Sequence, residues 1–225
     1  KRQANIMPVA LAVALENFVC DNFGRDYDRC YAWYRLVKLW SGMRFSDTQG
    51  IPSRTVMLED FGLKAEIYRS KTSGPGKKIQ LLQVFVSKDA WIACPHWLAC
   101  GWAIWRSMGT QSGMTSRDFM LPFPNEARSG FVRKVVDYQT ASTMSQALFS
   151  ALWTEQNGVR STLLFNGVGV VWTEHSERAT LRTWAQAARI PDDVKKQLGR
   201  WRPSADEGYE RAARVNVLRS QLTIA

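Results

Sequence analysis

The sequence predicts a mainly α-helical protein with a small antiparallel β-sheet, an α+β fold. Helices are predicted near both ends of the chain, because apolar residues recur there at helical spacing. A sheet is predicted between them, because residues 62–69 alternate apolar and charged side chains with the two-residue period of a half-buried strand. The turn sequence SGPG at 73–76 separates this segment from a second β-rich run at 79–86, so the two runs are expected to pair as a hairpin.

The chain begins with helices and changes character near residue 54. The apolar residues Val9, Val13 and Leu15 suggest a first helix, and Asp26 is expected to cap a second. Residues 54–60 are short and strand-like, so a first strand is expected before the hairpin.

The second half of the chain returns to helices. Two are expected around 91–106 and 142–156, and the many Gly, Ser, Thr and Pro residues between them at 107–130 predict a long loop or insertion. The last fifty residues predict three further helices, with a proline and a glycine as boundary signals. These run from Glu177 to just before Pro191, from Pro191 to Gly199, and from Tyr209 to Leu222.

Length and composition place the chain among globular proteins. Its 225 residues suffice for one large domain, and 45% hydrophobic with 22% charged residues excludes wholesale disorder. The net charge of +10 favours a polyanionic partner, either nucleic acid or an acidic membrane surface. The basic excess is concentrated at 61–90 and 175–225, where the ordinary interpretation is two solvated faces.

The apolar segments and the cysteines exclude further classes. The run Pro8–Leu15 is too short to span a membrane, and Trp91–Trp105 is interrupted by polar and helix-breaking residues, so no membrane span is expected. A membrane-surface protein would fit the charge but not the motifs described below, so no membrane partner is expected. The four cysteines form neither a CxxC pair nor a dense framework, which predicts reduced thiols in an intracellular protein. The spacing Cys94-Pro-His96…Cys100 matches no standard zinc pattern, so no metal site is expected.

Four short patterns matter by their order along the chain. They are SGMRFSD at 41–47, RSKT at 69–72, HSER at 175–178, and LGRW at 198–201, the last followed by Tyr209. Each pattern alone has an ordinary interpretation: a helix-end arginine beside an acid, a solvated turn lysine, a helix-start histidine, or a tyrosine in the core. These separate interpretations do not jointly explain the ordered set.

The ordered set resembles the catalytic domain of the tyrosine recombinases, the phage-integrase superfamily. That family has an Arg with a nearby acid, a hairpin Lys, HxxR, Leu-Gly followed by His or Trp, and a Tyr nine residues later. Here Tyr209 follows Arg200 by nine residues and Arg178 by 31. The form LGRW is closest in style to the Crypton-like and retrotransposon-encoded recombinases of eukaryotes. The resemblance spans roughly residues 30–220 and implies the family's catalytic-domain fold.

The resemblance implies an enzyme that cleaves and rejoins DNA strands through a 3′-phosphotyrosine intermediate, as a site-specific recombinase or transposon integrase, without metal, cofactor or ATP. Tyr209 would be the nucleophile, and His175 would accept its proton. Arg44 and Arg178 would grip the scissile phosphate, because a guanidinium is always charged and contacts two oxygens at once. Asp47 would orient the region around Arg44.

The remaining family positions fall on the hairpin and on the LGRW element. By resemblance, Lys71 would protonate the leaving 5′-oxygen, while Lys77 and Lys78 could contact the DNA backbone. Arg200 stands where the family usually has His or Trp, and Trp201 follows directly. Either residue could donate a hydrogen bond to the scissile phosphate, and the nine-residue spacing favours Arg200.

The partner implied by the resemblance is double-stranded DNA, bound by a homotetramer on two synapsed sites. Without DNA the protein is expected to be a monomer. Residues 26–225 are expected to form the catalytic domain, and residues 1–25 a linker or an N-terminal helix. Because the chain starts without Met, we expect it to lack the family's N-terminal core-binding domain. The resemblance to eukaryotic elements implies a nuclear location if the source is eukaryotic.

Two other functions stay open from the sequence. A type IB topoisomerase-like enzyme shares the Arg, Lys, Arg, His, Tyr chemistry, although the LGRW element and the chain length favour a recombinase. A catalytically inactive, domesticated DNA-binding module would keep the charge and the fold, and the unusual Arg200 leaves room for it.

Overall fold

The computed structural model describes residues 4–71, 74–76, 80–198 and 207–225, and for 207–213 it describes the backbone alone. The helices are α1 (Val9–Cys20), α2 (Asp26–Ser41), α3 (Phe45–Thr48), α4 (Trp97–Gln111), α5 (Tyr138–Ala151), α6 (Ser176–Ala187), α7 (Asp192–Leu198) and α8 (Glu207–Ile224). The strands are β1 (Met57–Glu59), β2 (Gly62–Ile67), β3 (Leu82–Ser87), β4 (Pro122–Pro124), β5 (Phe131–Val135), β6 (Trp153–Gln156) and β7 (Val159–Thr162). Most of the regular structure is helical, and the strands form small antiparallel sheets. This confirms the predicted α+β class.

The predicted hairpin forms part of a three-stranded antiparallel sheet in the order β1-β2-β3. Its register places Leu63 opposite Val86 and Ile67 opposite Leu82, and all four side chains are buried. The alternation that predicted β2 is therefore the alternation of a buried face and a half-buried face. The predicted start of the second run, at residue 79, lies outside the described residues.

Helix α2 is the central helix of the core and packs against α1, α4, α6 and β3. Asp26 and Asp28 lie in its first turn, and Gly42 follows its last turn with a φ of 61°, a conformation that favours glycine. Arg25 is the N-cap residue, so the prediction that Asp26 caps the helix is wrong. Asp26 instead places a negative charge at the positive end of the helix dipole.

Aromatic side chains fill the core around α2. Trp33 and Trp40 are fully buried, and the ring of Trp33 lies 5.8 Å from that of Trp105 in α4. A Cβ at Gly101 would lie 2.3 Å from the Trp33 side chain, so only glycine permits this close approach of α4 to α2. The segment 1–25, expected to be a linker or a helix, contains α1, whose buried face belongs to the same core.

The structure corrects the predicted loop at 107–130. Helix α4 continues to Gln111, and β4 pairs with β5 so that Pro124 lies opposite Phe131. The many glycines, serines and prolines therefore mark a helix end and a short hairpin, and they do not form one long irregular insertion.

The predicted helix at 142–156 is displaced towards the N-terminus. It starts at Tyr138, because the side chain of Asp137 accepts a hydrogen bond from the backbone N–H of Thr140 and caps the helix. It ends at Ala151, and β6 and β7 follow as a second hairpin. The turn of this hairpin has Asn157 and Gly158 at positive φ, the backbone that an Asn-Gly pair favours.

The three predicted C-terminal helices are confirmed within three residues at each described end. Helix α8 is fixed to the rest of the fold by the fully buried Gln221. Its Nε2 donates to the carbonyl oxygens of Trp40 and Phe85 at 2.7 and 3.0 Å, and its Oε1 accepts from the backbone N–H of Ser87 at 2.6 Å. The helix therefore docks on α2 and β3 of its own chain. Among the described helices, none is both long and apolar enough to cross a membrane.

Candidate functional site

Residues 174–178, at the start of α6, direct their charged side chains to two sides of the helix. Glu174 and Glu177 are 1% and 0% exposed. His175 is exposed and Arg178 is half-buried. Because side chains three residues apart lie on the same side of a helical turn, the two glutamates share the inner side and His175 and Arg178 share the outer side.

His175 and Arg178 line a cleft of about 850 Å³. Arg44, which follows α2 and is distant in the chain, lines the same cleft. Three residues selected from two sequence motifs far apart in the chain therefore meet at one surface. The other charged residues in the wall of this cleft are Arg182 of α6 and Asp192, Lys195 and Lys196 of α7.

Cations dominate this cleft. Asp192 is the one carboxylate among the described residues of its wall, and it lies 2.6 Å from the Nζ of Lys195. The hydrogen bond from Lys195 lowers the pKa of Asp192, so this carboxyl group is ionised at neutral pH. The excess of positive charge attracts an anion such as a phosphate group.

Contacts at the end of α2 join the two arginines of the motif set. The Nη1 of Arg178 donates to the backbone carbonyl of Gly42 at 2.6 Å, two residues before Arg44. The backbone N–H of Arg44 donates to the Oδ2 of Asp47 at 2.9 Å, and Asp47 is only 4% exposed. Asp47 therefore holds the backbone at Arg44, which is the kind of contact that its expected orienting role requires.

The other predicted residues are not among the described residues of the cleft wall. Lys71 is exposed and follows β2. Tyr209 belongs to α8 in the region where the backbone alone is described, so its side chain lies outside the described atoms. Four further predicted residues lie outside the described residues: Lys77, Lys78, Arg200 and Trp201.

The cleft also involves residues that the sequence analysis did not select. Arg182 follows Arg178 by four residues, a spacing that places both on one helix face and could have identified it. Tyr138, at the start of α5, places its ring 5.9 Å from the ring of His175 and 5.6 Å from that of Phe45. No local signal marks Tyr138, because it reaches His175 only through the tertiary fold.

The inner side of residues 174–178 belongs to a fully buried charge cluster, formed by Arg35, Lys38, Glu174 and Glu177. Arg35 pairs with both glutamates, through Nη1 to Glu174 and through Nε to Glu177. Lys38 pairs with Glu174, and its Nζ lies 3.6 Å from the Oε1 of Glu177. All four side chains are 0% exposed. The cluster ties the start of α6 to the middle of α2.

The charges within this cluster compensate one another. Burial alone would raise the pKa of Glu174, but the positive charges of Arg35 and Lys38 outweigh it and lower the pKa to about 2. Burial alone would lower the pKa of Arg35, and the two glutamates reverse that effect and raise it. The hydroxyl of Tyr31 lies 3.2 Å from the Oε1 of Glu174 and supplies a further donor. Glu174 and Arg35 are therefore oppositely charged at neutral pH, and each stabilises the charged form of the other.

The four cysteines are free thiols, and none lines the described part of the cleft. Cys20 and Cys94 place their sulfur atoms 3.3 Å apart, and burial together with the neighbouring thiols raises the pKa of Cys20. Burial also raises the pKa of Cys30 to about 12. Within the described residues, no group of three or more His, Cys, Asp and Glu side chains is arranged to hold a metal ion.

Comparison with known proteins assigns no family to this chain. No protein-family model matches it, and no curated protein matches it. A function for the chain therefore depends on the chemistry of the cleft and on the sequence motifs that supply its residues.

Proposed function

We propose that this chain is a DNA strand-breaking and rejoining enzyme of the tyrosine recombinase type, a site-specific recombinase or transposon integrase with that family's catalytic-domain fold. The observation that carries the proposal is the meeting of Arg44, His175 and Arg178 in one cationic cleft. These residues come from two of the four ordered motifs, and the ordinary interpretation of each motif alone gives no reason for them to meet.

The substrate is the phosphodiester backbone of double-stranded DNA. Arg44 and Arg178 hold the non-bridging oxygens of the scissile phosphate, where negative charge grows in the transition state. Arg182 and Lys196 extend the positive wall and contact neighbouring phosphates. Such contacts position the DNA without reading its sequence, so affinity falls steeply as the salt concentration rises.

The chemical step is an in-line attack by the phenol oxygen of Tyr209 on phosphorus. A bond forms between this oxygen and phosphorus, the bond from phosphorus to the 5′-oxygen breaks, and a 3′-phosphotyrosine and a free 5′-hydroxyl result. A free phenol has a pKa of about 10, so only about one molecule in a thousand is ionised at pH 7. His175 accepts the phenol proton during the attack, and Lys71 protonates the leaving oxygen.

Rejoining is the reverse step with a 5′-hydroxyl from a second strand. The energy of the broken phosphodiester is kept in the phosphotyrosine, so the exchange requires no nucleotide hydrolysis. On two synapsed DNA sites the active species is a homotetramer, because four strands must be cut and exchanged.

A DNA-binding module without catalytic activity is the second candidate. It is favoured by one observation, the absence of Lys71 from the described wall of the cleft. The cations of the wall would suffice for binding phosphate, and a missing acid for the leaving oxygen would slow cleavage strongly. The two candidates differ in one product, a covalent bond between protein and DNA.

The experiment that separates them traps this bond. The protein is incubated with a pool of duplexes nicked at varied positions, so that the cut end diffuses away, and adducts are detected on a denaturing gel. We expect an adduct with the unchanged chain, none with Tyr209→Phe, and an adduct with the control Tyr138→Phe, which removes another phenol close to His175. Salt-sensitive DNA binding without any adduct would support the second candidate instead.

A further inference from the structure

A second pocket, of about 140 Å³, lies between the 3₁₀ turn at Ser53–Thr55, helix α4 and the segment that follows α4. Its wall contains three arginines, Arg54, Arg106 and Arg117, with Trp105 and Thr115 beside them. The pocket shares no lining residue with the cationic cleft of Arg44 and Arg178.

Arg117 is the buried member of this pocket, with 6% exposure. Its guanidinium lies over the rings of Trp105 and Phe131, at 4.6 and 5.2 Å from their centroids. Nη1 and Nη2 donate to the backbone carbonyls of Met114 and Met120. Its Nε–H is buried and has no hydrogen-bond partner among the described atoms. A buried donor without an acceptor is destabilising, so a ligand that supplied an acceptor to this group would stabilise it.

Arg54 and Arg106 supply the exposed charges of the pocket. Arg54 lies over the ring of Tyr68 at 5.8 Å, and Arg106 lies over the ring of Trp102 at 5.1 Å. These aromatic rings restrict the two guanidiniums at the mouth of the pocket. Arginines held in this way lose little conformational freedom when they bind an anion.

The pocket has no carboxylate among its described lining residues, and none of its three arginines forms an ion pair with a described residue. Burial lowers the pKa of Arg117 to about 10, which leaves the group protonated at neutral pH. A buried charge is normally compensated by an opposite charge. No described carboxylate pairs with Arg117, so a bound anion would supply the negative charge that compensates it.

We infer that this pocket binds a phosphate group between the guanidiniums of Arg54, Arg106 and Arg117. Three arginines in the wall of one pocket suit a tetrahedral oxyanion, which offers oxygens in several directions, whereas a carboxylate offers two in one plane. The volume is ample for such a group, since one water takes about 30 Å³ in the liquid. The phosphate comes either from the DNA backbone or from a free phosphorylated compound. The inference stands independently of the proposed function, because the two sites share no residue.

The test observes the pocket directly by nuclear magnetic resonance. Inorganic phosphate is titrated against chloride at constant ionic strength, while the assigned Nε–H signal of Arg117 and the indole N–H signal of Trp105 are followed. The indole donates to the carbonyl of Met120, so it reports on the same wall. We expect saturable shifts of both signals with phosphate.

The double variant Arg54→Gln/Arg106→Gln should weaken this phosphate binding at least about tenfold, since it removes two of the three charges. Both side chains are exposed, so the folded state should persist, and the unfolding midpoint measured without phosphate checks this. The control Arg133→Gln/Arg219→Gln removes two exposed arginines elsewhere and should leave the titration unchanged.

A second titration uses a short DNA duplex in place of inorganic phosphate. Shifts of the two signals with the duplex support a backbone phosphate as the ligand, and shifts with inorganic phosphate alone support a free phosphorylated compound. The inference is overturned if neither titrant shifts the Arg117 and Trp105 signals saturably. It is also overturned if the double variant binds phosphate as tightly as the unchanged chain.

Discussion

The two sides of residues 174–178 differ in how their charges are compensated. On the inner side, Glu174 and Glu177 are fully buried and meet two cations of α2. On the outer side, His175 and Arg178 face a cleft whose described wall contains five arginines and lysines and one carboxylate. The buried and the accessible charged residues lie within the same five consecutive residues. Only those on the outer side are open to an external partner.

This difference shows how the chain separates folding from binding. A buried charge must be compensated inside the protein, so the inner glutamates hold α6 on α2. Helix α2 ends next to Gly42, whose carbonyl accepts a hydrogen bond from Arg178, and Arg44 follows two residues later. The segment that carries Arg44 is therefore attached to α6. The cations on the outer side are accessible to water, so the fold does not require a buried counter-charge for them. Their excess positive charge favours an anionic ligand.

The largest expected effect is a loss of stability when the buried cluster on the inner side loses one of its two glutamates. Glu174→Ala leaves Arg35 and Lys38 buried beside a single glutamate, so the free energy of unfolding should fall by about 3–5 kcal/mol. Denaturant unfolding measures this change. The control Glu155→Ala removes an exposed carboxylate that lies 3.4 Å from Arg160 and should change stability by about 0–1 kcal/mol. Equal losses in both variants would show that burial does not distinguish the two pairs.

The second largest effect is expected on the rate of adduct formation, when Arg178 on the outer side is replaced. Arg178→Lys keeps the charge but loses the planar pair of donors, so the rate of adduct formation with nicked DNA should fall by about 10²–10³-fold. Stopped time points on denaturing gels give this rate. Arg189→Gln, at an exposed position outside the cleft wall, is the control and should keep the rate. An unchanged rate in Arg178→Lys would remove Arg178 from the chemical step.

The pH dependence of stability contains a contribution from Glu174 on the inner side, which comparison with a Glu174 variant isolates. Because the pKa of Glu174 is about 2 in the folded protein and about 4.5 without its partners, its stabilisation is present above pH 4.5 and is lost as the pH falls towards 2. The free energy of unfolding should therefore decrease by about 3 kcal/mol from this group across that window. In Glu174→Gln this part of the slope should vanish, and a slope identical to that of the unchanged chain would contradict the account.

The smallest effect should come from one phosphate contact at the edge of the cleft. Arg182→Gln should reduce duplex affinity by about tenfold or less at low salt and lower the slope of log affinity against log salt by about one. Its stability should stay within about 0.5 kcal/mol, because the side chain is exposed. Fluorescence anisotropy at several salt concentrations measures both quantities. A steeper salt slope in the variant would contradict a phosphate contact.

Local signals in the sequence were sufficient for the hairpin β2–β3 and for the C-terminal helices, because alternation, proline and glycine act within a few residues. The Asn157-Gly158 turn was also readable locally, and it would have corrected the helix predicted to run to residue 156. Arg182 could also have been selected from the sequence, because it follows Arg178 by one helical turn and therefore lies on the same helix face.

The buried charge cluster was beyond sequence reasoning. Arg35 and Lys38 lie three residues apart in a largely buried helix, but their partners are more than a hundred residues away and meet them only in the folded chain. Arg117 is a similar case, since its burial depends on Trp105 and Phe131 from two other elements. The motif order selected Arg44, His175 and Arg178, and the fold added the inner cluster that joins the start of α6 to α2.

The most direct test of the central claim is to identify the residue that becomes joined to DNA. Adducts trapped on nicked duplexes are digested with protease and nuclease, and the modified peptide is sequenced by mass spectrometry. We expect one nucleotide-bearing peptide, with a phosphodiester on Tyr209 and the 3′ end of the DNA attached. A modification on another residue, or DNA binding that never yields a modified peptide, would contradict it.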